Sequence, residues 1–260
     1  MTAAVPRRAA ATPAPETRPV TTASPDSPHI SQIPTLWTVV RQAHGDEASD
    51  AGDARKRLLD QYGGAVRRYL LAMLRDADAA DDVMQEFALR LLRGDFRNAD
   101  PDKGRFRAFV KTTVYRLVMD HHRGRKRAAR EGPMSVDPAG DLPDETASDE
   151  AFVESWRSDL LDRAWRSLES DAVAYAVLRT RVDHPELRSA ELPPLIEQTY
   201  GQTVKPNSVR VYIQRARERF AGALLAAVRE SVDGREGAVE EELIDLRLLE
   251  YCRPALEKGA

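Results

Sequence analysis

The chain has 260 residues, of which 42% are hydrophobic and 31% charged, so it can bury a core beneath a highly charged surface. This length favours two small domains over one large domain. No apolar stretch approaches the roughly 18 residues of a membrane span, and no segment near the N-terminus resembles a signal peptide. The single cysteine, Cys252, excludes an intramolecular disulfide framework and a cysteine-based zinc finger. We therefore expect a cytoplasmic protein without a membrane partner.

The net charge of −3 is an average over two segments of opposite charge. From Arg105 to Arg130, nine basic residues stand against one acidic residue, whereas from Glu131 to Asp162, ten acidic residues stand against one basic residue. A charge run is usually a solvated surface, but the basic segment has almost no acidic neighbours to balance it. It therefore predicts a surface that binds a polyanion, and the acidic segment is expected to be solvated separately.

The first 28 residues contain six prolines and no periodic apolar pattern, which predicts a disordered tail over residues 1–31. Apolar residues then recur at helical spacing and predict a first helical module over residues 32–128, with a polar break from Gly45 to Gly52. The helices of this module are expected to begin near Leu36, Leu58, Asp78 and Phe106. The apolar face of the third helix is expected to comprise Val83, Phe87, Leu91 and Leu92.

Prolines, glycines and acidic residues dominate residues 129–148, which predicts a flexible acidic linker. Helical periodicity resumes in a second module over residues 149–232, first as one long pattern from Phe152 to Leu178. Two shorter helices follow, one that ends at Gly201 and one that begins at Pro206. No stretch alternates for long enough to predict a β-strand. The predicted fold is all-α, with two small helical domains joined by the acidic linker.

The last two helices of the second module form a helix-turn-helix pattern. The second of them buries an apolar face, and its opposite face carries side chains that can contact base edges and phosphates. These side chains, with their flanking residues, include Lys205, Asn207, Arg210, Val211, Gln214, Arg215 and Arg217. The alternative is an amphipathic helical hairpin with a solvated charged face.

Aromatic and cationic residues of the first module share the face opposite its last apolar stripe. This combination suits phosphate contacts together with stacking on unpaired bases, and the alternative is again a solvated face. The residues are Arg105, Arg107, Lys111, Tyr115, Arg116, Asp120, His121 and Arg123.

Two clusters have the residue types of an enzyme site without its geometry. The adjacent residues 120–122, Asp-His-His, point in different directions on a helix and have no spaced partner that would complete a metal site. Asp81, Asp82 and Glu86 lack a matching carboxylate or histidine motif on another helix. The chain also has no phosphate-binding glycine-rich loop and no nucleophile elbow. We therefore expect no catalytic residue, no metal site and no cofactor.

Several motifs resemble the extracytoplasmic-function (group IV) sigma factors of bacterial RNA polymerase. The promoter-melting domain of that family is similar to DVMQEF at 82–87, RFRAF at 105–109 and LVMDHHR at 117–123. The helix-turn-helix domain of the family is similar to SVRVYIQRAR at 208–217. The resemblance implies an alternative sigma factor that binds core RNA polymerase, directs it to a class of promoters, helps to melt the start site and then dissociates.

Residue roles follow from the same resemblance. Asp82, Gln85 and Glu86 correspond to the motif that docks on the clamp helices of the polymerase β′ subunit. Lys103 and the helix from Arg105 to Arg123 correspond to the element that recognises and opens the minus-ten element of the promoter. The stretch from Lys205 to Arg217, Ser208 included, corresponds to the helix that binds the minus-thirty-five element as duplex.

The resemblance also implies further partners, and it has two departures. The β flap would be a second polymerase contact, and an anti-sigma protein or another regulator is a further candidate partner. Arg116 stands where the family often has asparagine, so the family's minus-ten base preference is not transferred. The segment from Arg181 to Pro194 is longer and richer in proline than the usual connection.

Two functions of other classes remain as alternatives. A helix-turn-helix regulator would bind DNA without polymerase, and a nucleic-acid-processing enzyme would use the acidic and histidine residues. Run-off transcription with purified core polymerase distinguishes all three, because only a sigma factor supports sequence-specific initiation.

Helical periodicity returns in a C-terminal extension, residues 233–260, whose apolar stripe is too short to be stable alone in water. The stripe comprises Val239, Leu243, Leu246 and Leu249. From Glu230 to Ala260, nine acidic residues stand against four basic residues. Two roles are open: the extension covers part of the core of the second module, or it lies near a basic DNA-binding face and restrains promoter engagement in the free protein.

Overall fold

A computed structural model describes residues 48–93, 95–98, 105–131, 145–232 and 237–259. All regular secondary structure in these residues is helical, which confirms the predicted all-α class. The α-helices of the described residues are α1 Ala48–Leu74, α2 Ala77–Arg93, α3 Phe106–Glu131, α4 Glu145–Leu168, α5 Ala172–Asp183, α6 Leu192–Tyr200, α7 Val209–Ser231, α8 Ala238–Asp245 and α9 Leu249–Glu257. The predicted disordered tail and the helix expected near Leu36 lie outside these residues.

Helices α1 to α3 bury most of the apolar positions that their periodicity predicts. Val83, Phe87 and Leu91 of α2 are buried, but Leu92 is 49% exposed, contrary to the sequence prediction. A helix turns by about 100° per residue, so Leu92 points away from the face that Leu91 shares with Phe87. Helix α1 begins at Ala48, inside the predicted polar break.

The short segment after α2 contributes a core residue. Asp95–Asn98 form a 3₁₀-helix, and its Phe96 is buried between Phe87 and Phe109, at ring-centroid distances of 5.7 and 5.3 Å. Polar neighbours hide this aromatic residue from a periodicity search, because a single apolar residue forms no stripe.

The long helical pattern of the second module is two helices rather than one. The chain leaves α4 after Leu168, and Asp171 caps α5 by accepting a hydrogen bond from the backbone N–H of Ala174 at 3.0 Å. Helices α5 and α6 and the first turns of α7 then enclose a small core. Its buried residues are Ala176, Val177, Leu192, Ile196, Val204, Val209 and Ile213.

The larger core combines residues from both predicted modules and from the C-terminal extension. Trp156 of α4 is 1% exposed and stacks on Tyr62 of α1 at a centroid distance of 4.9 Å. The α1 glycine Gly64 permits this approach, because a Cβ there would collide with the carboxylate of Asp159. One apolar cluster therefore continues from α1 through α4 to α7.

The module boundaries themselves remain predictions. Of the predicted linker, residues 129–131 and 145–148 are helical ends of α3 and α4, and residues 132–144 lie outside the described part of the chain. No helix in the described part of the chain is both long enough and apolar enough to cross a bilayer.

Candidate nucleic-acid interface

Asp82, Gln85 and Glu86 lie on the outer face of α2, away from its buried stripe. Asp82 and Gln85 are exposed, and the half-buried Glu86 accepts a hydrogen bond from Arg90 at 2.9 Å. Leu89, one turn beyond Gln85, is 43% exposed and extends the same face. Sequence reasoning did not single out Leu89, although its spacing of four residues from Gln85 could have identified it. The face offers carboxylates beside an exposed leucine, which suits a partner with both cationic and apolar groups.

The predicted minus-ten residues that the structure describes lie along α3, and they differ in how exposed they are to solvent. The second half of the helix is the more open part, with Arg116, Asp120 and Arg123 exposed and Tyr115 and His121 half-buried. Asp120 and Arg123 form an ion pair at 3.4 Å. Both side chains are exposed to solvent, so the pair contributes little to stability. Lys103 lies outside the described residues.

The first turns of α3 are covered by carboxylates from elsewhere in the chain. Arg105 and Arg107 form ion pairs with residues of α8, and Lys111 bonds to Asp149 of α4 at 2.8 Å. The expectation that this basic run lacks acidic partners is therefore wrong for these three residues. A count over neighbouring residues misses the partners of the two arginines because they lie more than 130 residues downstream.

The charge state of Arg105 reflects this environment. Burial lowers the pKa of its guanidinium, but the attraction of Glu242 and Asp245, together with hydrogen bonds to Glu241 and Glu242, outweighs burial and raises the pKa above its ordinary value. Arg105 is therefore a permanent cation held between carboxylates, and any anion that binds it must compete with them.

Helices α6 and α7 are joined by a tight turn that begins at Gly201. This residue has φ +65°, a left-handed conformation that favours glycine, and its N–H donates to the carbonyl of Glu197 at 2.9 Å. Buried Val204 anchors the turn to the small core, and a 3₁₀-helix at Pro206–Ser208 leads into α7. Local turn chemistry therefore sets the start of α7.

The candidate duplex-binding residues form a row along the outer face of this turn and of α7. Ser208 is half-buried, and the others are exposed: Lys205, Asn207, Arg210, Val211, Gln214, Arg215 and Arg217. Val211 is 50% exposed, which places an apolar side chain among the cations. The combination offers hydrogen-bond donors for base edges and an apolar contact for a thymine methyl group.

The connection between α5 and α6 contains one proline, Pro185, because Pro193 and Pro194 lie in the first turn of α6. One arginine organises this connection. Nη1 of Arg181 donates to the carbonyls of His184, Pro185 and Leu187, at 3.3, 3.3 and 2.7 Å. This triple contact ties the turn to the end of α5 and so helps to position α6 and the row on α7. Sequence reasoning assigned no role to Arg181.

Among the described residues, no group of three or more histidine, cysteine, aspartate or glutamate side chains is arranged to hold a metal ion. The 120–122 run therefore has no converging ligands within that part of the chain.

Comparison with known proteins matches one part of the chain. Residues 58–128 match the family model described as Sigma-70 region 2. The matched stretch begins inside α1, contains all of α2 and ends inside α3, so it includes the α2 face and the cationic surface of α3. The searches of curated proteins and of solved structures returned no significant match.

Proposed function

We propose that this chain, which carries a sigma-70 region 2 domain at residues 58–128, is an alternative sigma factor of the extracytoplasmic-function group. The domain indicates a non-enzymatic role in RNA polymerase binding and promoter melting, with core polymerase and promoter DNA as partners. One observation carries the proposal: the matched helices present an exposed acidic face on α2 and a cationic, aromatic surface on α3. A sigma factor needs both surfaces, whereas a regulator that binds DNA alone needs only the second.

The second DNA contact in this proposal is the row on α7. Arg210 and Gln214 are exposed and early enough in the helix to reach base edges in the major groove, and Val211 can contact a thymine methyl group. Lys205 and Arg215 flank them and suit phosphate contacts. These features support recognition of the minus-thirty-five element as duplex. The β flap enters the proposal only through the family resemblance, as a further polymerase contact.

Run-off transcription with purified core polymerase tests the proposal. We expect transcripts with discrete start sites only when this chain and core polymerase are both present, and in the cytoplasm the two would meet as a holoenzyme. DNA binding without initiation would favour the regulator, and turnover of nucleic acid without polymerase would favour the enzyme. Mapping of transcript starts after overexpression would then define the promoter class.

Prediction for the α2 face: replacing Asp82 by arginine together with Gln85 by alanine weakens core polymerase binding by at least about tenfold, a loss of about 1.4 kcal/mol. Both side chains are exposed, so their loss removes docking contacts without disturbing the buried stripe of α2. The matched control is Glu150→Arg with Gln198→Ala, two exposed positions outside the matched domain with the same charge change. Co-purification with polymerase is the measurement, and wild-type yield of the α2 variant would contradict the assignment.

Prediction for the α7 row: Arg210→Ala relaxes sequence choice at the upstream promoter element by about 1–3 kcal/mol for the base it contacts. Lys205→Ala instead weakens binding across all sequences and lowers the salt slope by about one. Affinities for a set of duplexes with single base changes, measured at several salt concentrations, distinguish the two effects. The division of roles would be refuted if both variants lost affinity equally on every duplex.

A further inference from the structure

We propose that the C-terminal extension is an intramolecular ligand of the DNA-binding surface. Its carboxylates occupy the Arg105–Arg107 pair where DNA phosphates would bind, and they restrain DNA binding until DNA or a partner displaces them. The inference rests on the proposed function in one respect, namely that nucleic acid is the competing ligand of these arginines.

Three carboxylates of α8 converge on the two guanidinium groups. Arg107 bonds through Nε to Glu242 at 2.6 Å and through Nη2 to Asp245 at 3.1 Å. Arg105 bonds to Glu242 at 3.0 Å, to Glu241 at 3.1 Å and also to Asp245. A guanidinium presents the same planar set of donors to a carboxylate and to a phosphate. Both anions therefore cannot occupy these donors together, and the contact is competitive.

Burial of apolar side chains holds α8 in this position. Leu243 and Leu246 are completely buried in the larger core, and Glu242 between the arginines is 1% exposed. The predicted single apolar stripe is interrupted after Leu246, because Arg247 adopts φ +57° and the chain turns into α9. The contacts thus support both roles considered from the sequence: the extension covers core residues, and its acidic side lies on the basic surface.

The extension also reaches the second candidate DNA surface. In α9, Tyr251 packs edge-on against Phe220 of α7 at a centroid distance of 5.8 Å, and Lys258 bonds to Glu218 at 2.9 Å. Gln214 and Arg217 of the α7 row line the same cleft as Tyr251 and Lys258. The extension therefore pairs with the arginines at the start of α3 and lies beside the α7 row.

Neutral variants test the restraint without removing the extension. Glu241 and Asp245 are each 48% exposed at the side chain, so Glu241→Gln with Asp245→Asn removes two ion-pair charges and leaves Glu242 and the buried leucines in place. The matched control is Glu240→Gln with Glu257→Gln. These two carboxylates are exposed on the same segment and make no ion pair with either arginine, so net charge changes equally.

The affinity for a fixed single-stranded oligonucleotide is measured at low salt, without polymerase, on the full chain. We expect the Glu241–Asp245 variant to bind about three- to tenfold more tightly than the control variant. Equal affinities of the two variants would overturn the restraint, because the gain would then be a general charge effect or absent. If no variant bound the oligonucleotide, both the restraint and the proposed DNA-binding role would be overturned. Polymerase binding would be unaffected by that result, because it is tested separately.

Displacement has its own readout, because Cys252 is the only cysteine of the chain and is completely buried in α9. Saturating oligonucleotide is expected to raise the rate of Cys252 modification by a thiol reagent in the wild-type chain at least about threefold, and the Glu241–Asp245 variant is expected to react faster without DNA. An unchanged rate in both experiments would overturn displacement. Circular dichroism checks that each variant is folded. If a double variant loses helicity, the single variant Asp245→Asn is compared with the control Glu257→Gln instead.

Discussion

Replacing Trp156 by alanine is expected to lower the free energy of unfolding by about 3–5 kcal/mol. The indole ring is buried, stacks on Tyr62 of α1 at 4.9 Å and packs against Phe152 at 5.8 Å. Removing it leaves a cavity between α1 and α4 that the surrounding helices can fill only in part. The loss of apolar contact and the cavity therefore add.

Unfolding measurements on this variant also test whether the two predicted modules fold as one unit. Urea unfolding followed by circular dichroism is expected to show a single transition in the wild-type chain and in the variant. The control is Leu92→Ala, an exposed leucine whose loss should change stability by less than about 0.5 kcal/mol. Two separate transitions, of which Trp156→Ala shifted only one, would show that the modules are independent.

Cys252 is expected to react with a thiol reagent at least about a hundredfold more slowly in the native chain than in urea at pH 8. Its side chain is completely buried, and burial raises the pKa of the thiol to about 11. The thiolate is the reactive form, and at pH 8 about one thiol in a thousand would be ionised, against about one in four for an ordinary cysteine. Native reactivity equal to that in urea would contradict the buried position.

The same pKa shift predicts how the thiol affects stability with pH. The folded-state pKa of the thiol lies above the unfolded value of about 8.5. The stabilising contribution of the neutral, buried thiol is therefore fully present at any pH below about 8.5. This contribution, about 3 kcal/mol, is lost as the pH rises towards 11. Cys252→Ala removes the titrating group, so its unfolding free energy should fall less steeply between pH 8.5 and 11. Parallel pH profiles of the two proteins would contradict this linkage.

Helical periodicity alone predicted most of the secondary structure and the outward faces of the candidate sites. Val83 and Phe87 recur on one side of α2, so Asp82 and Gln85 had to lie away from it. The same argument predicts that Arg210 points away from the buried face of Val209 on α7, and Arg210 is exposed. These predictions succeed because each needs only the geometry of a single helix, which repeats every 3.6 residues whatever the helix packs against.

Tertiary structure decided which surface each stripe meets and which charges become paired. Nothing in the local sequence distinguishes Trp156, which joins α4 to α1, from an aromatic residue that stays within its own module. Likewise, the sequence around Arg105 does not indicate Glu242 as its partner. The reason is physical: hydrophobic burial has no preferred direction, so a stripe shows that a helix must be covered but not by what. An ion pair forms wherever packing brings two charges together, and here the burial of Leu243 and Leu246 carries the carboxylates of α8 onto the arginines of α3.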